Sequence, residues 1–249
     1  PLQVDATVLA TQGNFNNAIG LPLTVLRLRA GHRAAVIELG MNHPGETATL
    51  AAVAQPTVAV VNNAQREHQE FMRTVADVAA EHAALPRALP AGGVAVLNAD
   101  DAFVDLWRDA VAPGAAAVEF ALDHPAAVRG RYDATTGALE LATPAGNFTV
   151  RLATQGRHNA ANALAAATAA LAMGVAVRAV ASGLEAVDPS TVRITITQPN
   201  RAFMNVLAMT FGSIVPKELA GADTTAFSGA PVGSGAFYLE SYAKGDKAV

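Results

Sequence analysis

Apolar positions along the chain fall into short unbroken runs separated by polar turns. Ala34-Ala35-Val36-Ile37-Glu38-Leu39, Thr57 to Val61 (TVAVV) and Gly93 to Leu97 (GVAVL) are three of these runs. A strand covered on both faces has no polar side to show, so continuous apolar runs of this length predict buried parallel strands. Stretches with helical spacing lie between them. One opens at Pro44-Gly45-Glu46 and reaches Ala54, with Pro near the start, where its missing N–H does no harm. A second runs from about Met72 to Leu85. A third lies around Phe103 to Ala110, with Asp100 and Asp101 ahead of it as caps. The alternation predicts an α/β fold, a parallel sheet with crossover helices.

The pattern changes between residues 116 and 152. Gly130-Arg131-Tyr132, Leu139-Glu140-Leu141 and Phe148-Thr149-Val150 alternate around turn signals at Thr136-Gly137 and Ala145-Gly146, which predicts a small antiparallel insert. An Ala-rich helix follows from Asn159 to Met173, stopped by Gly174, and a shorter one reaches Glu185. The remaining sixty or so residues hold a period-two run, Thr191 to Thr197 (TVRITIT), a helical or loop stretch around Phe203 to Ile214, and a strand-like Gly235 to Tyr242. Alone they make a poor independent core.

Composition sharpens this division. Of 249 residues, 51% are hydrophobic and 15% charged, the balance of a globular chain. Charges interrupt every apolar run, which predicts no transmembrane helix. The first residues have neither a basic nor an apolar region, which predicts no signal peptide; with no initiator Met, the chain reads as a piece of a longer one. There is no Cys, so disulfides, thiolate metal sites and a Cys nucleophile are excluded. The net charge of −4, with no dense basic run, argues against nucleic acid as a partner. Only three of 17 basic residues are Lys (Lys217, Lys244 and Lys247), which excludes a Gly-Lys-Thr phosphate loop from the first 216 positions. Residues 1–188 carry 12 basic and 17 acidic groups, the rest 5 and 4, so a boundary is expected there.

Four segments are candidates for chemistry. Gly13-Asn14-Phe15-Asn16-Asn17, continuing to Gly20, sets amide donors and acceptors on a loop able to approach a ligand closely, or is a turn before a helix. Glu38 stands at a strand end, where open α/β sheets bind ligands; it suits a hard cation or pairs with an Arg. Asn62, Asn63 and His68 follow the next strand, and His68 is a metal ligand, a phosphate contact or a surface residue. Asn159 and Asn162 share one face at the start of the Ala-rich helix. They read a base edge, or Asn159 caps the helix. Asn162 lies too far inside to cap.

Together the stretches TQGNFNNAIGLPLT (11–24), AVIELGMNHPGE (35–46), AQPTVAVVNNAQREHQEFM (54–72) and GRHNAANALAAA (156–167) resemble the central ATP-binding domain of the Mur ligases, over residues 1–188. Within that family the resemblance is to the branch that joins D-Ala-D-Ala to a UDP-MurNAc-tripeptide. It implies a cytoplasmic, ATP-dependent amide ligase of peptidoglycan precursor synthesis that works through an acyl phosphate. It further implies Glu38 and His68 as Mg²⁺ ligands, and His158, Asn159 and Asn162 against the adenine of ATP. Asn14, Asn16 and Asn17 would line the nucleotide and acyl-phosphate region. No catalytic residue is assigned.

The chain also departs from the family. Its phosphate loop is expected just ahead of Pro1, and the flanking domains that bind the UDP-sugar and close over ATP are expected to lie outside these 249 residues. Where many Mur ligases carry a carbamylated Lys, this chain has His82, which cannot form the carbamate. Residues 189–249 resemble something else. TVRITITQPNRAFMNVLAM (191–209) and PVGSGAFYLESYAKGD (231–246) are similar to extracytoplasmic peptide-binding proteins of ABC importers. These expectations describe a chimera joined near Val187 to Thr191 and inactive as it stands. The rival readings are an importer's peptide-binding component and a non-functional fusion fragment.

Overall fold

The computed structural model describes residues 7–66, 70–152 and 154–184. The chain divides after Thr191, and the described residues all belong to the first unit. The segments predicted at Thr191 to Thr197, Phe203 to Ile214 and Gly235 to Tyr242 lie outside the described residues.

The elements follow the predicted rhythm. In order they are β1 (Val8–Ala10), α1 (Gly20–Val25), β2 (Ala34–Val36), α2 (Glu46–Ala54), β3 (Val58–Val61), α3 (Val75–His82), α4 (Ala84–Arg87), β4 (Val94–Asn98), α5 (Val104–Asp109), β5 (Ala116–Ala121), β6 (Val128–Asp133), β7 (Ala138–Thr143), β8 (Gly146–Arg151), α6 (Arg157–Ala172) and α7 (Val177–Leu184). β1 pairs with β2 in a two-stranded parallel ladder, and β3 to β8 form a six-stranded sheet in strictly sequential order. β1 is an element that the apolar runs do not announce. The predicted strand Ala34 to Leu39 stops at Val36, so Glu38 lies two residues beyond it.

β4 shows why the central strands are continuously apolar. Its side chains alternate between two cores. Val96 joins Phe120, Leu139, Leu164 and Ala167 beneath α6. Ala95 and Leu97 face the other way, among Ala79, Ala83 and Trp107. Helix α6 lays Ala160, Ala163, Ala167 and Ala170 on the sheet, small side chains that let the helix approach the strands closely. The Thr168 hydroxyl, buried with them, donates to the Leu164 carbonyl at 2.7 Å.

The predicted insert is continuous with the parallel sheet. β5 pairs parallel with β4, and β6 parallel with β5, before β6, β7 and β8 turn antiparallel. Only Phe120 and Ala121 at the end of β5 pair with Val128 and Arg129 at the start of β6. The chain therefore returns a very short distance between them. A short loop suffices where a full parallel return takes a dozen residues or more. This stagger carries β6 past the carboxyl end of β5.

Local chemistry sets the helix limits. The predicted helix from Met72 to Leu85 begins at Val75. The Thr74 hydroxyl accepts from the Asp77 N–H, and the Asp77 carboxylate accepts from the Thr74 N–H. It breaks after His82, because Pro86 has no N–H to give the His82 carbonyl and its ring would collide with it. At the start of α2, Gly45 has no capping side chain, and Glu81 supplies one from α3. Its carboxylate accepts from the Gly45 N–H at 2.8 Å and the Thr47 N–H at 2.7 Å.

Trp107 of α5 is fully buried, and its indole N–H donates to the Ala79 carbonyl at 2.9 Å. Trp107→Ala should cost about 3–5 kcal/mol in urea unfolding followed by far-UV circular dichroism. Trp107→Phe should cost less, because the Ala79 carbonyl keeps the Ala83 N–H.

Candidate functional site

Parallel strands buried on both faces leave polar groups only beyond their ends, and the candidate residues gather at the carboxyl ends of β2, β3, β4 and β5. Past β2, the Thr11 hydroxyl accepts the Glu38 backbone N–H at 2.9 Å, and the Glu38 carboxylate accepts from the Asn16 amide at 2.7 Å. The partner of Glu38 is thus Asn16 rather than an Arg. The 13–17 loop reaches it through two close approaches that only glycine permits. A Cβ on Gly40 would sit 2.6 Å from the Asn16 amide carbon, and one on Gly20 would sit 2.4 Å from the Phe15 Cα.

The three loop asparagines divide. Asn16 faces Glu38. The Asn17 side-chain oxygen accepts from the Ile19 and Gly20 N–H groups at 3.1 and 2.8 Å, so Asn17 starts α1. Asn14 is exposed. His68 lies outside the described residues, as do Glu67 and Gln69. Among the described residues no cluster of three or more His, Asp or Glu is arranged to hold a metal ion.

The second group lies past β3, β4 and β5. The Asn62 amide donates to the Asn162 side-chain oxygen at 2.7 Å, tying α6 to the end of β3. Asn98 donates to the Asn62 carbonyl at 2.9 Å. The two acidic residues expected to cap α5 share out other work. Asp101 accepts from the Phe103 and Ala64 N–H groups, both at 2.9 Å, so it leads into α5 and also holds the loop after β3. Asp100 does not cap α5. It turns to the end of β5 and accepts from the Leu122, Asp123 and His124 N–H groups and the His124 ring. Asp123 in turn makes an ion pair with Arg157, the first residue of α6.

The start of α6 is therefore held from several sides. Gly156, rather than Asn159, is the residue before its first turn, with φ at +112°, and its N–H donates to the Tyr132 hydroxyl at 2.8 Å. Tyr132 reaches it because the stagger carries β6 past the end of β5. The Asn159 amide donates to the Gln155 carbonyl at 2.8 Å, and His158 is exposed. The structure thus joins Asn16 to Glu38 and Asn162 to Asn62, as two separate pairs. Asn98, Asp123, Arg157 and Tyr132 are not candidates in the sequence reading, and Asp100 enters it only as a helix cap. The run Asn98-Ala99-Asp100-Asp101 at the end of an apolar strand was the signal available for Asn98. His82, at the end of α3, packs beside Trp107 with ring centres 6.4 Å apart.

Burial pushes the Asp100 carboxyl up, but the Leu122 N–H, the His124 ring and the His124 and Asp123 N–H groups outweigh it and hold the carboxyl below its ordinary range. A carboxyl depressed in the folded state stabilises the protein above the unfolded pKa, and that contribution is lost as pH falls through the folded value. Asp100→Asn should therefore be less stable at neutral pH, and the gap to wild type in urea midpoints should narrow below about pH 4. Gly20→Ala should lower the midpoint as well. This reverses the gain of about 1 kcal/mol that the exchange usually brings within a helix, because the new methyl meets backbone.

Residues 2–170 match the Mur ligase middle domain, and residues 101–249 match the middle part of the bacterial extracellular solute-binding proteins, family 5. The second match begins some ninety residues before the segment whose resemblance suggested it, and the two overlap over 101–170. The chain is 37% identical over 179 residues to the UDP-N-acetylmuramoyl-tripeptide–D-alanyl-D-alanine ligase of Haemophilus influenzae, covering 72% of this chain and 39% of that one. A crystal structure of MurF from Acinetobacter baumannii superposes with a TM-score of 0.70 at 32% identity, covering 80% of this chain and 44% of that one. MurF from Thermotoga maritima in complex with ADP gives a TM-score of 0.61 at 25% identity, covering 73% and 43%. The chain thus spans about two fifths of the length of these relatives. The chain thus belongs to the Mur ligase family through residues 2–170 and to solute-binding family 5 through residues 101–249.

Proposed function

We propose that residues 1–188 are the nucleotide-binding part of a cytoplasmic ATP-dependent amide ligase of peptidoglycan precursor synthesis. It is the type that adds D-Ala-D-Ala to UDP-MurNAc-tripeptide. The observation that carries this reading is the pair of polar clusters, Asn16 with Glu38 and Asn62 with Asn162, at the carboxyl ends of parallel strands, where α/β sheets bind ligands. In the reaction a carboxylate oxygen attacks the γ-phosphorus of ATP and ADP leaves. The incoming amine then attacks the acyl carbon and inorganic phosphate leaves.

In this reading His158, Asn159 and Asn162 lie against the adenine, and Asn14, Asn16 and Asn17 line the phosphate side. Glu38 and His68 hold Mg²⁺, which when bound neutralises charge on the phosphate oxygens. Glu38 fits the role in kind: its exposed carboxylate is oriented by Asn16 and suits a hard cation. The Asn16 amide would position that carboxylate, and the Asn162–Asn62 bond would fix the adenine side of α6 against the end of β3.

Residues 1–249 taken by themselves are inactive in this proposal, because no Lys among residues 1–216 is there to grip the β- and γ-phosphates. It is also a chimera, with a junction between Val187 and Thr191. The match of residues 101–249 to solute-binding family 5 favours a second reading, an importer's peptide-binding component.

Titration calorimetry separates the two readings. Weak heat with Mg-ATP, reduced further by Asn162→Ala and Glu38→Ala, with none from dipeptides, is the expected result. Dipeptide affinity without nucleotide would favour the importer reading. Phosphate release with ATP and both ligase substrates present would overturn the predicted inactivity. One long DNA read across the codons for Val187 to Thr191 tests the junction, and an uninterrupted native frame would exclude misassembly.

A further inference from the structure

We propose that the turn joining α1 to β2, residues 26–33, is a peripheral membrane contact that seats exposed leucines and arginines on an anionic lipid surface. Its sequence alternates apolar and cationic side chains, Leu26-Arg27-Leu28-Arg29, and Arg33 follows after His32. The chain carries a net charge of −4, yet no Asp or Glu occurs between Asp5 and Glu38. Positive charge is thus concentrated in one place on a chain that is acidic as a whole. Arg27, Arg29 and Arg33 are exposed, and among the described residues none of them forms an ion pair. The leucines are open too: Leu26 is 73% exposed and Leu28 43%. Ile19 and Leu23, also exposed, continue the apolar strip back along one face of α1.

The main chain of the turn is tied in place. The Arg29 guanidinium donates to the Leu26 and Leu28 carbonyls at 2.9 and 2.8 Å. The Arg29 N–H donates to His32 Nδ1 at 2.9 Å, and the Arg33 N–H donates to the Thr7 carbonyl at 2.9 Å. The exposed side chains therefore stand on fixed backbone, and docking orders only the side chains. Their mixture selects the partner. A soluble polyanion takes up the guanidiniums but leaves Leu26 and Leu28 in water. A lipid surface takes both, with the phosphates at the guanidiniums and the leucines at the acyl boundary. The apolar stem of each arginine lies along that boundary while its charge stays at the headgroups. Among the described residues no helix is long and apolar enough to cross a membrane, so the contact is made at the surface. It needs no nucleotide and is independent of the ligase reading.

Sedimentation of the 249-residue chain with vesicles tests the contact. Vesicles of phosphatidylglycerol and phosphatidylcholine in equal parts should bind it about tenfold more tightly than vesicles of phosphatidylcholine alone. Each arginine is worth roughly fivefold at an anionic surface. Arg27→Glu combined with Arg33→Glu should therefore weaken binding by about tenfold or more, and added salt should weaken it in the wild type. Leu26→Ser should weaken it severalfold and leave the salt dependence unchanged. Trp107 is the sole Trp and is fully buried, so in Leu26→Trp a blue shift of the emission on adding anionic vesicles reads insertion at the turn. These positions are all exposed, and far-UV circular dichroism of the variants should match the wild type. Equal binding to both kinds of vesicle, binding that survives the double charge reversal, or no blue shift would overturn the proposal. So would binding to soluble poly-glutamate as tight as to the anionic vesicles, which would assign the turn to an acidic polypeptide.

Discussion

A parallel strand covered by helices on both faces can carry no polar side chain along its length, and this constraint organises the domain. β4 obeys it up to its last residue, Asn98, with Val96 sunk in one core and Ala95 and Leu97 in the other. Polar residues are displaced to the last position of a strand or the first two beyond it, where main-chain and side-chain groups lie within reach of neighbouring strands. Glu38, Asn62, Asn98 and Asp100 are all of this kind, and each is engaged across a strand boundary or onto the next loop. The same rule that makes the strands legible as apolar runs thus concentrates the candidate chemistry at one edge.

Legibility in the sequence follows how local each cause is. TVAVV and GVAVL announce β3 and β4 because burial on both faces leaves a signal in every residue. The Ala-rich α6 is equally plain, though it starts two residues earlier than expected, at Arg157. β1 is only three residues long and its pairing with β2 is non-local, so no local pattern marks it. The insert was readable as antiparallel from its turns, but its fusion to the parallel sheet depends on two residue pairs between β5 and β6. Tertiary capping is the least legible. Glu81 caps α2 from 36 residues away, and Asp100 was expected on its own helix but serves a turn more than twenty residues on.

The candidate site divides along the same line. The loop asparagines were identified by their density, but density does not distinguish Asn16, which orients Glu38, from Asn17, which only starts a helix. Asn159 and Asn162 share a face as their spacing requires, yet Asn162 turns out to tie α6 to Asn62. Tyr132 and Arg157 were missed because their roles arise from the stagger of β6 and from the Asp123 ion pair, neither of which is written in any single segment.

The order of the larger sheet has a consequence for how the domain assembles. From β3 to β8 each strand lies beside the one made immediately before it. No connection between these paired strands is longer than the 32 residues between β3 and β4, so the entropy lost at each closure grows only slowly. The sheet can grow in the direction of synthesis, each new strand docking on an edge already in place. A β-rich domain with long-range pairings folds slowly because distant segments must find one another. Here that search is largely confined to α6, which is made after all eight strands and packs across β3, β4, β5 and β6 at once. The Ala-rich helix thus closes a sheet whose strands are already in register.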